Sequence, residues 1–362
     1  MGHPKEQPEL SVIVAARNET GELPALFANL AGQQGIVFEL IVADGDSTDG
    51  TAAMARELGE SAPFVVTILE GEANRGAQLD AAIAASRGSM LLILHADSVF
   101  PDPMALRKAL DTLDAASAPG KTATAGHCRL RFRHSSLKPS LPFFFYEAKA
   151  CLDRTGCTHG DQGLLFSRSV YGEAGPFAND RPMLAETEFA ERVRKIGRWL
   201  LLPMEIQTSA RRFEKEGLKE RQTLNSLICN AAALDWEEFF DKIPALYRHH
   251  DESDRLDLAP IFKGINRLIK MMPRQERSRF WYHTGVFVRE NAWQIPFFLD
   301  IRNAFRQGVE PWQVKPCWLA LHDRIIAPLI ANPAGNMLAG FLTWCWFRFM
   351  CYGFSSNKKN SA

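Results

Sequence analysis

The sequence has no excess of charge of either sign: 42 basic residues meet 42 acidic ones, for a formal net charge of zero. Such a chain sets up no global field, which excludes recognition of nucleic acid by bulk electrostatics and leaves any charged partner to be met locally. Its seven cysteines contain no Cys-x-x-Cys pair, so zinc ribbons are excluded and the odd number of thiols points to a reducing, cytoplasmic compartment. The opening stretch, "MGHPKEQPELSVIVAARNE", lacks a basic segment leading into an apolar one, so no secretory signal is expected. Gly-x-Ser-x-Gly, Walker and His-Glu-x-x-His patterns are missing, which removes the nucleophile and zinc chemistries they carry. No internal repeat of about 20 to 50 residues appears.

What is present is a regular alternation. "LSVIVAA" (Leu10 to Ala16), "FELIVAD" (Phe38 to Asp44), "FVVTIL" (Phe64 to Leu69) and "MLLILH" (Met90 to His95) read as buried strands. Between them, Leu23, Leu26, Phe27 and Leu30 at three-and-four spacing, then "GTAAMARELG", then "GAQLDAAIAAS", read as helices. Strand following helix in this order predicts an α/β fold: a mainly parallel, Rossmann-like sheet with helices on both faces. Ligands of such sheets collect beyond the carboxyl ends of the strands. Those ends here carry Arg17-Asn18-Glu19, Asp44 with Asp46, Glu70, and His95 with Asp97.

Farther along, the Ala-rich stretch from Leu113 to Ala125 reads as a surface excursion and "TATAGHCRLRF" as a return to strand. "LAETEFAERVRKIG" is a helix with acidic residues early and basic ones late, matching its dipole. Beyond Leu234, Trp and Phe become frequent and helical segments are separated by Pro244, Pro260, Pro273 and Pro296. The expected organisation is a catalytic domain over 1–234, a helical region over 235–354 and a disordered polar tail over 355–362.

"LLILHADS" (Leu91 to Ser98) carries the sharpest signal. A carboxylate just past a strand end, beside a small residue that admits a ligand, suits a divalent cation bridging a diphosphate, so Asp97 is the primary candidate. Together with "VIVAARNE", "IVADGDSTDGT", "NRGAQLDAA", "GDQGLLFSRSVYGEAGPF", "LAETEFAERVRKIG" and "TSARRFEKEG", this stretch makes residues 10 to 230 resemble the family 2 glycosyltransferases of GT-A fold. The resemblance is nearest to the subgroup associated with radical-SAM and selenodomain proteins, in which His-Ala-Asp replaces the usual Asp-x-Asp.

The resemblance implies binding of a nucleoside-diphosphate sugar and inverting, hexosyltransferase-type transfer to a hydroxyl acceptor, a lipid-linked one among the options, with Mn2+ or Mg2+ as cofactor. It puts Ala15, Arg17 and Glu19 around the nucleoside, Asp44 at the base edge, and Arg75 at base or phosphate. Asp44 could equally serve its own turn. His95 has three open roles: ligand to manganese, hydrogen-bond partner of phosphate or sugar, or a side chain that only orients Asp97. The family places its base on an acidic Glu-Asp pair; here the aligned residues are Ala185-Glu186, so Glu186 falls on the base position with one extra methylene, ~1.5 Å of reach. Glu188 competes for the same role.

Two further groups read from chemistry alone. Asp161 and Gln162, flanked by glycines in "HGDQG", suit an acceptor or sugar contact, or else a tight turn. Arg211 and Arg212 suit a phosphate clamp, or else a solvated charge run. The segment "MLAGFLTWCWFRFMCYGF" (Met337 to Phe354) is apolar and aromatic, yet Arg348 interrupts it and it falls short of the ~20 residues that spanning requires. It is either a buried terminal helix or a peripheral contact with the inner face of a membrane, with Trp344, Trp346 and Tyr352 at headgroup depth and Lys358 and Lys359 beside lipid phosphates. Against the enzyme stands a second class, a catalytically silent GT-A module that binds nucleotide or scaffolds a partner, suggested by the altered Asp-x-Asp and the missing Glu-Asp pair.

Overall fold

The chain, seen here as a computed structural model, is described over residues 7–117, 123–136, 138–248 and 255–356. It divides into two compact units, Met1–Ser209 and Ala210–Ala362. The composition change near Asp235 coincides with a feature inside the second unit, the left-handed Asp235 that ends one helix and admits the next.

The first unit is built on seven strands: β1 (Leu10–Ala16), β2 (Phe38–Gly45), β3 (Val65–Gly71), β4 (Met90–Leu94), β5 (Ala123–Arg133), β6 (Leu164–Ser167) and β7 (Gly197–Ser209). Their order across the sheet is β3-β2-β1-β4-β6-β5-β7. β3, β2, β1 and β4 run parallel, as do β5 and β7, while the four-residue β6 runs against both its neighbours. Among the described residues, seven helices accompany them: α1 (Leu23–Ala31), α2 (Thr51–Ser61), α3 (Arg75–Ala85), α4 (Ala105–Ala116), α5 (Leu141–Ala150), α6 (Arg168–Ala174) and α7 (Ala185–Ile196).

β1 and β2 are buried along their whole length because both faces are covered, which is why they read as unbroken apolar runs rather than as alternation. Ile13, Ile41 and Ile93 share one core with Leu79 of α3 and Phe189 of α7. Their neighbours Val12, Val14, Leu40 and Leu92 point to the opposite face, where they are equally buried. The expected surface excursion from Leu113 to Ala125 is corrected at its two ends. α4 buries Leu106, Ala109, Leu110 and Leu113 at helical spacing, and Ala125 is a buried residue of β5. Only residues 118–122 of that stretch lie outside the described residues. Alanine-rich composition had hidden an amphipathic helix.

The second unit is helical: α8 (Arg211–Glu216), α9 (Leu218–Ala233), α10 (Glu237–Arg248), α11 (Leu258–Met271), α12 (Arg274–Glu290), α13 (Gln294–Arg306), α14 (Cys317–Leu321), α15 (Ala327–Ile330) and α16 (Pro333–Ser356). Pro260 and Pro296 fall in first helical turns and Pro273 just before one, where a missing N–H costs nothing. Pro244, by contrast, lies inside α10 instead of separating two segments. α12 and α16 approach backbone to backbone. A methyl on Gly285 would meet the carbonyl oxygen of Asn336 at 2.0 Å, and one on Gly340 that of Trp281 at 2.4 Å. Asn336 is locked in this seam, accepting from Arg289 Nε at 2.6 Å and donating to the Tyr282 hydroxyl at 3.0 Å. Lys358 and Lys359 lie outside the described residues, and Ser355 and Ser356 continue α16.

Candidate active site

The parallel strands deliver their carboxyl ends to one edge of the sheet, and the loops that follow are stitched together. Asn18, in the left-handed region at φ 56°, donates its N–H to Ser47 Oγ at 2.9 Å and accepts from the Thr48 N–H at 2.9 Å. Glu19 N–H reaches Thr51 Oγ1 at 2.8 Å, and Thr20 donates to Asp49 through both its N–H and its hydroxyl. Arg17 is left exposed beyond these bonds. Beneath them, Gln78 of α3 donates to the carbonyls of Ala16 and Ala43 at 3.2 and 2.7 Å, joining the ends of β1 and β2. Gly45 makes room for it, since a Cβ there would stand 2.7 Å from the Gln78 amide.

Asp44 divides its carboxylate between two readings. Oδ2 accepts from the Ser47 N–H at 3.1 Å, which is turn chemistry. Oδ1 is buried with no partner. A buried acceptor left unpaired is costly, and a ligand donor would satisfy it.

β4 stops at Leu94 because His95 to Ser98 form a turn closed by Ser98 N–H to His95 O and by His95 N–H to Ser98 Oγ, each 3.2 Å. Val99 then pairs with Gln207 of β7. That pairing brings the Asp97 carboxylate to the end of β7, where it accepts from Thr208 Oγ1 at 3.2 Å and from the Ser209 N–H at 3.1 Å. Arg133 Nη2 donates to the Asp97 carbonyl at 2.6 Å. The carboxylate keeps lone pairs on both oxygens, so it can still face a cation.

His95, Glu186, Arg75 and Gly160 meet at one point. Glu186, only 4% exposed in the first turn of α7, is ion-paired and hydrogen-bonded with Arg75 Nε, and His95 Nε2 lies 3.8 Å from the same oxygen. Burial opposes the charge on Glu186, but Arg75 and His95 outweigh it and hold the carboxyl down to about 2. Arg75 also donates to the Ala15 carbonyl at 3.3 Å, and its Nη2 is buried without a partner. A Cβ on Gly160 would crowd Glu186 Oε1 and stand 2.8 Å from His95 Nε2, so any larger residue would push these side chains aside. Asp161 follows directly. Desolvation pushes it up to about 6, Asp97 and Glu186 adding to the rise and His95 opposing it, and its Oδ1 is buried without a partner.

The remaining expected residues are placed as follows. Gln162 is a buried structural side chain in part, donating to the Cys157 carbonyl at 2.9 Å, with its Oε1 unpartnered. Glu188 lies 3.7 Å from Arg181 and is more open than Glu186. Arg211 and Arg212 open α8 in the second unit, where exposed Arg212 faces Glu216 at 3.8 Å, one helical turn on. Gln78, Arg133, Thr208 and Gly160 were not among the expected site residues. Gln78 and Gly160 stand inside quoted motifs, but nothing in the spacing pointed to bridging strand ends or to the approach of α7. Among the described residues, no group of three or more His, Cys, Asp or Glu could hold a metal ion.

A seven-stranded, mainly parallel sheet with helices on both sides is the GT-A fold. Residues 11–173 match the family model described as glycosyl transferase family 2. The chain is 29% identical over 112 residues to the succinoglycan biosynthesis protein ExoO of Rhizobium meliloti, covering 31% of either protein. It is 34% identical over 93 residues to an uncharacterized glycosyltransferase of Haemophilus influenzae, covering 25% of this chain and 30% of that one. These matches thus take in less than a third of each relative's length. A mannosyltransferase of Pyrobaculum calidifontis, solved with GDP-Man and Mn2+, has the same fold at a TM-score of 0.51 and 18% identity, over 95% of this chain and 88% of its own. Over residues 11–173, then, the chain is similar to the family 2 glycosyltransferases.

Proposed function

We propose that the protein is an inverting, hexosyltransferase-type enzyme that moves a sugar from a nucleoside-diphosphate sugar to a hydroxyl acceptor, and that it belongs to the radical-SAM/selenodomain-associated subgroup. The observation that carries this reading is the meeting of His95, Arg75 and Glu186 at Gly160, with Asp97 two residues beyond His95. In this reading the unpartnered Asp44 Oδ1 accepts from the base, with Ala15, Arg17 and Glu19 around the nucleoside. Asp97 and His95 fit a divalent cation as a partial ligand set, the diphosphate oxygens supplying the rest. Bound there, Mn2+ or Mg2+ would offset the charge that develops on the departing diphosphate.

Glu186 receives the acceptor hydroxyl proton as the sugar bond to the acceptor forms and the bond to the diphosphate breaks. Held at about 2 by Arg75 and His95, it is a weak base as it stands. A diphosphate competes with it for the Arg75 guanidinium, whose buried Nη2 has no other partner, and so loosens the pair. Asp161 and Gln162 contribute the acceptor side and Arg211 and Arg212 a phosphate contact. A lipid-linked acceptor would be met at the inner face of the membrane, which segment 337–354 contacts peripherally.

The test is donor binding and slow donor hydrolysis with a panel of nucleotide sugars and Mn2+. Loss of binding in Asp97→Ala and loss of hydrolysis in Glu186→Gln are expected. If nucleotide binds while hydrolysis is absent from wild type as well, the silent-module reading replaces this one; if no nucleotide binds at all, both fall.

A further inference from the structure

We infer that the second unit seats the protein in one leaflet of an anionic lipid bilayer through a bent pair of helical arms. This extends the contact proposed for 337–354 to a larger surface, and it stands whether or not sugar transfer is the reaction. Among the described residues no single helix is long and apolar enough to cross a membrane, but the arms Cys317–Ile330 and Pro333–Gly353, bent by 100° at their junction, pass that test together.

The composition of the exposed surface carries the argument. Around α16 the buried side is narrow, marked by Asn336, Gly340 and Phe347. At 100° per residue, the exposed side from Trp344 round through Phe341, Leu338 and Leu342 to Trp346 sweeps roughly 200°. Arg348 is the one charge on it. A helix that docks on protein through an apolar face needs a stripe of about 100°. Twice that arc, with Phe349 and Tyr352 about three-quarters exposed, fits a fluid apolar medium rather than a single partner helix. Exposed apolar side chains also stand on the first arm, at Trp318, Ile325 and Leu329, and on α13, at Ile295 and Phe298.

The backbone at the bend is suited to such a medium. Asn332 donates its side-chain amide to the Leu329 carbonyl at 2.8 Å and accepts from the Gly335 N–H at 2.9 Å. One residue thereby closes polar groups at the end of the first arm and the start of the second, which irregular backbone near lipid requires. Asp300 of α13 likewise accepts from the N–H groups of Trp318 and Leu319 at 3.0 and 2.9 Å, holding the start of the first arm to α13.

Charge selects the lipid. Exposed Arg302, Arg306, Lys315, Arg324 and Arg348 fringe this surface against exposed Glu310 and Asp323, a local basic excess in a chain that is neutral overall. The tryptophan and tyrosine rings on the same arms are of the amphipathic kind that settles at headgroup level. An aromatic groove between α12 and α16, 460 Å³ in volume and walled by Trp281, Tyr282, Phe341 and Trp344, gives an acyl chain a place to lie.

The experiment is flotation of the full-length protein with vesicles of phosphatidylcholine alone and of phosphatidylcholine mixed with phosphatidylglycerol. Wild type is expected to float with the mixed vesicles and to bind the neutral ones at least tenfold more weakly. Phe341→Asp/Phe349→Asp abolishes flotation with an unchanged thermal melt, since both rings are exposed. Lys315→Glu/Arg324→Glu weakens binding to the mixed vesicles by roughly tenfold or more. Wild-type protein that stays at the bottom of the gradient with both vesicles overturns the inference. So does a dimer in solution that the Phe341→Asp/Phe349→Asp variant splits while neither form floats, which would assign the surface to a second copy.

Discussion

Replacing Arg75 with Met removes a cation and leaves the length of the side chain nearly unchanged. Its partner Glu186 is 4% exposed, with the His95 ring 3.8 Å away. A carboxyl brought from its ordinary 4.5 to about 2 has its charged form favoured by about 3 kcal/mol. Because the folded value is depressed, this stabilisation is complete above about 4.5 and disappears as the pH falls from there through about 2. Arg75→Met should therefore lower the urea-unfolding free energy by about 3 kcal/mol at pH 7, consistent with the range for breaking a buried pair. The gap between wild type and variant should close as the pH drops below 4.5, since wild type loses what the variant never had. Adding Glu186→Gln should restore most of the loss, because the neutral amide no longer requires a counter-charge. A gap that is constant from neutral to acid pH, or a double variant whose loss equals the sum of the two singles, would refute the reasoning.

Three other outcomes are expected. Gly160→Ala drives a methyl into Glu186 and His95, so stability should fall by about 1 to 3 kcal/mol and nucleotide-sugar affinity with it, read by chemical denaturation and calorimetry on the same sample. His127 is buried, accepts from Trp199 Nε1 at 2.7 Å and faces the Ala150 carbonyl at 2.7 Å through its other nitrogen. Burial brings it to about 4, so wild-type stability should be full above its ordinary 6.5 and decline as the pH falls from there to about 4, a slope that His127→Asn should flatten in urea titrations. In Asp97→Asn, Mn2+ should no longer strengthen nucleoside-diphosphate binding, whereas binding without metal changes less; an unaltered Mn2+ effect in calorimetry would remove Asp97 from the cation site.

The parallel half of the sheet was legible because each of its strands is a short aliphatic run ended by polar residues, and β1 and β2 are covered on both faces. The placement of Asp97 and Asp44 was legible for the same reason: they stand where such runs stop. β6 was harder, for four residues carry no period, and its antiparallel course follows from pairing with β4 and β5 rather than from its own composition. The Arg75–Glu186 pair joins residues 111 positions apart, and nothing local marks either as the other's partner. α4 was missed because alanine is at home on both the buried and the open side of a helix. The apolar arms of the second unit were legible as a segment, but their bend and the width of their exposed arc needed three dimensions.

The Gln78 amide has a consequence for how the proposed site could change its ligand. Its N–H groups are already committed to two main-chain carbonyls, and any side chain at Gly45 would displace it. That part of the cavity therefore offers a visitor nothing to read and tolerates no new side chain. A change of preference at the proposed nucleotide site would have to be written in the stitched loops above it, where the bonds of Asn18 with Ser47 and Thr48 and of Thr20 with Asp49 can be exchanged without disturbing the strands below. The foundation is fixed, and selectivity is an affair of the rim.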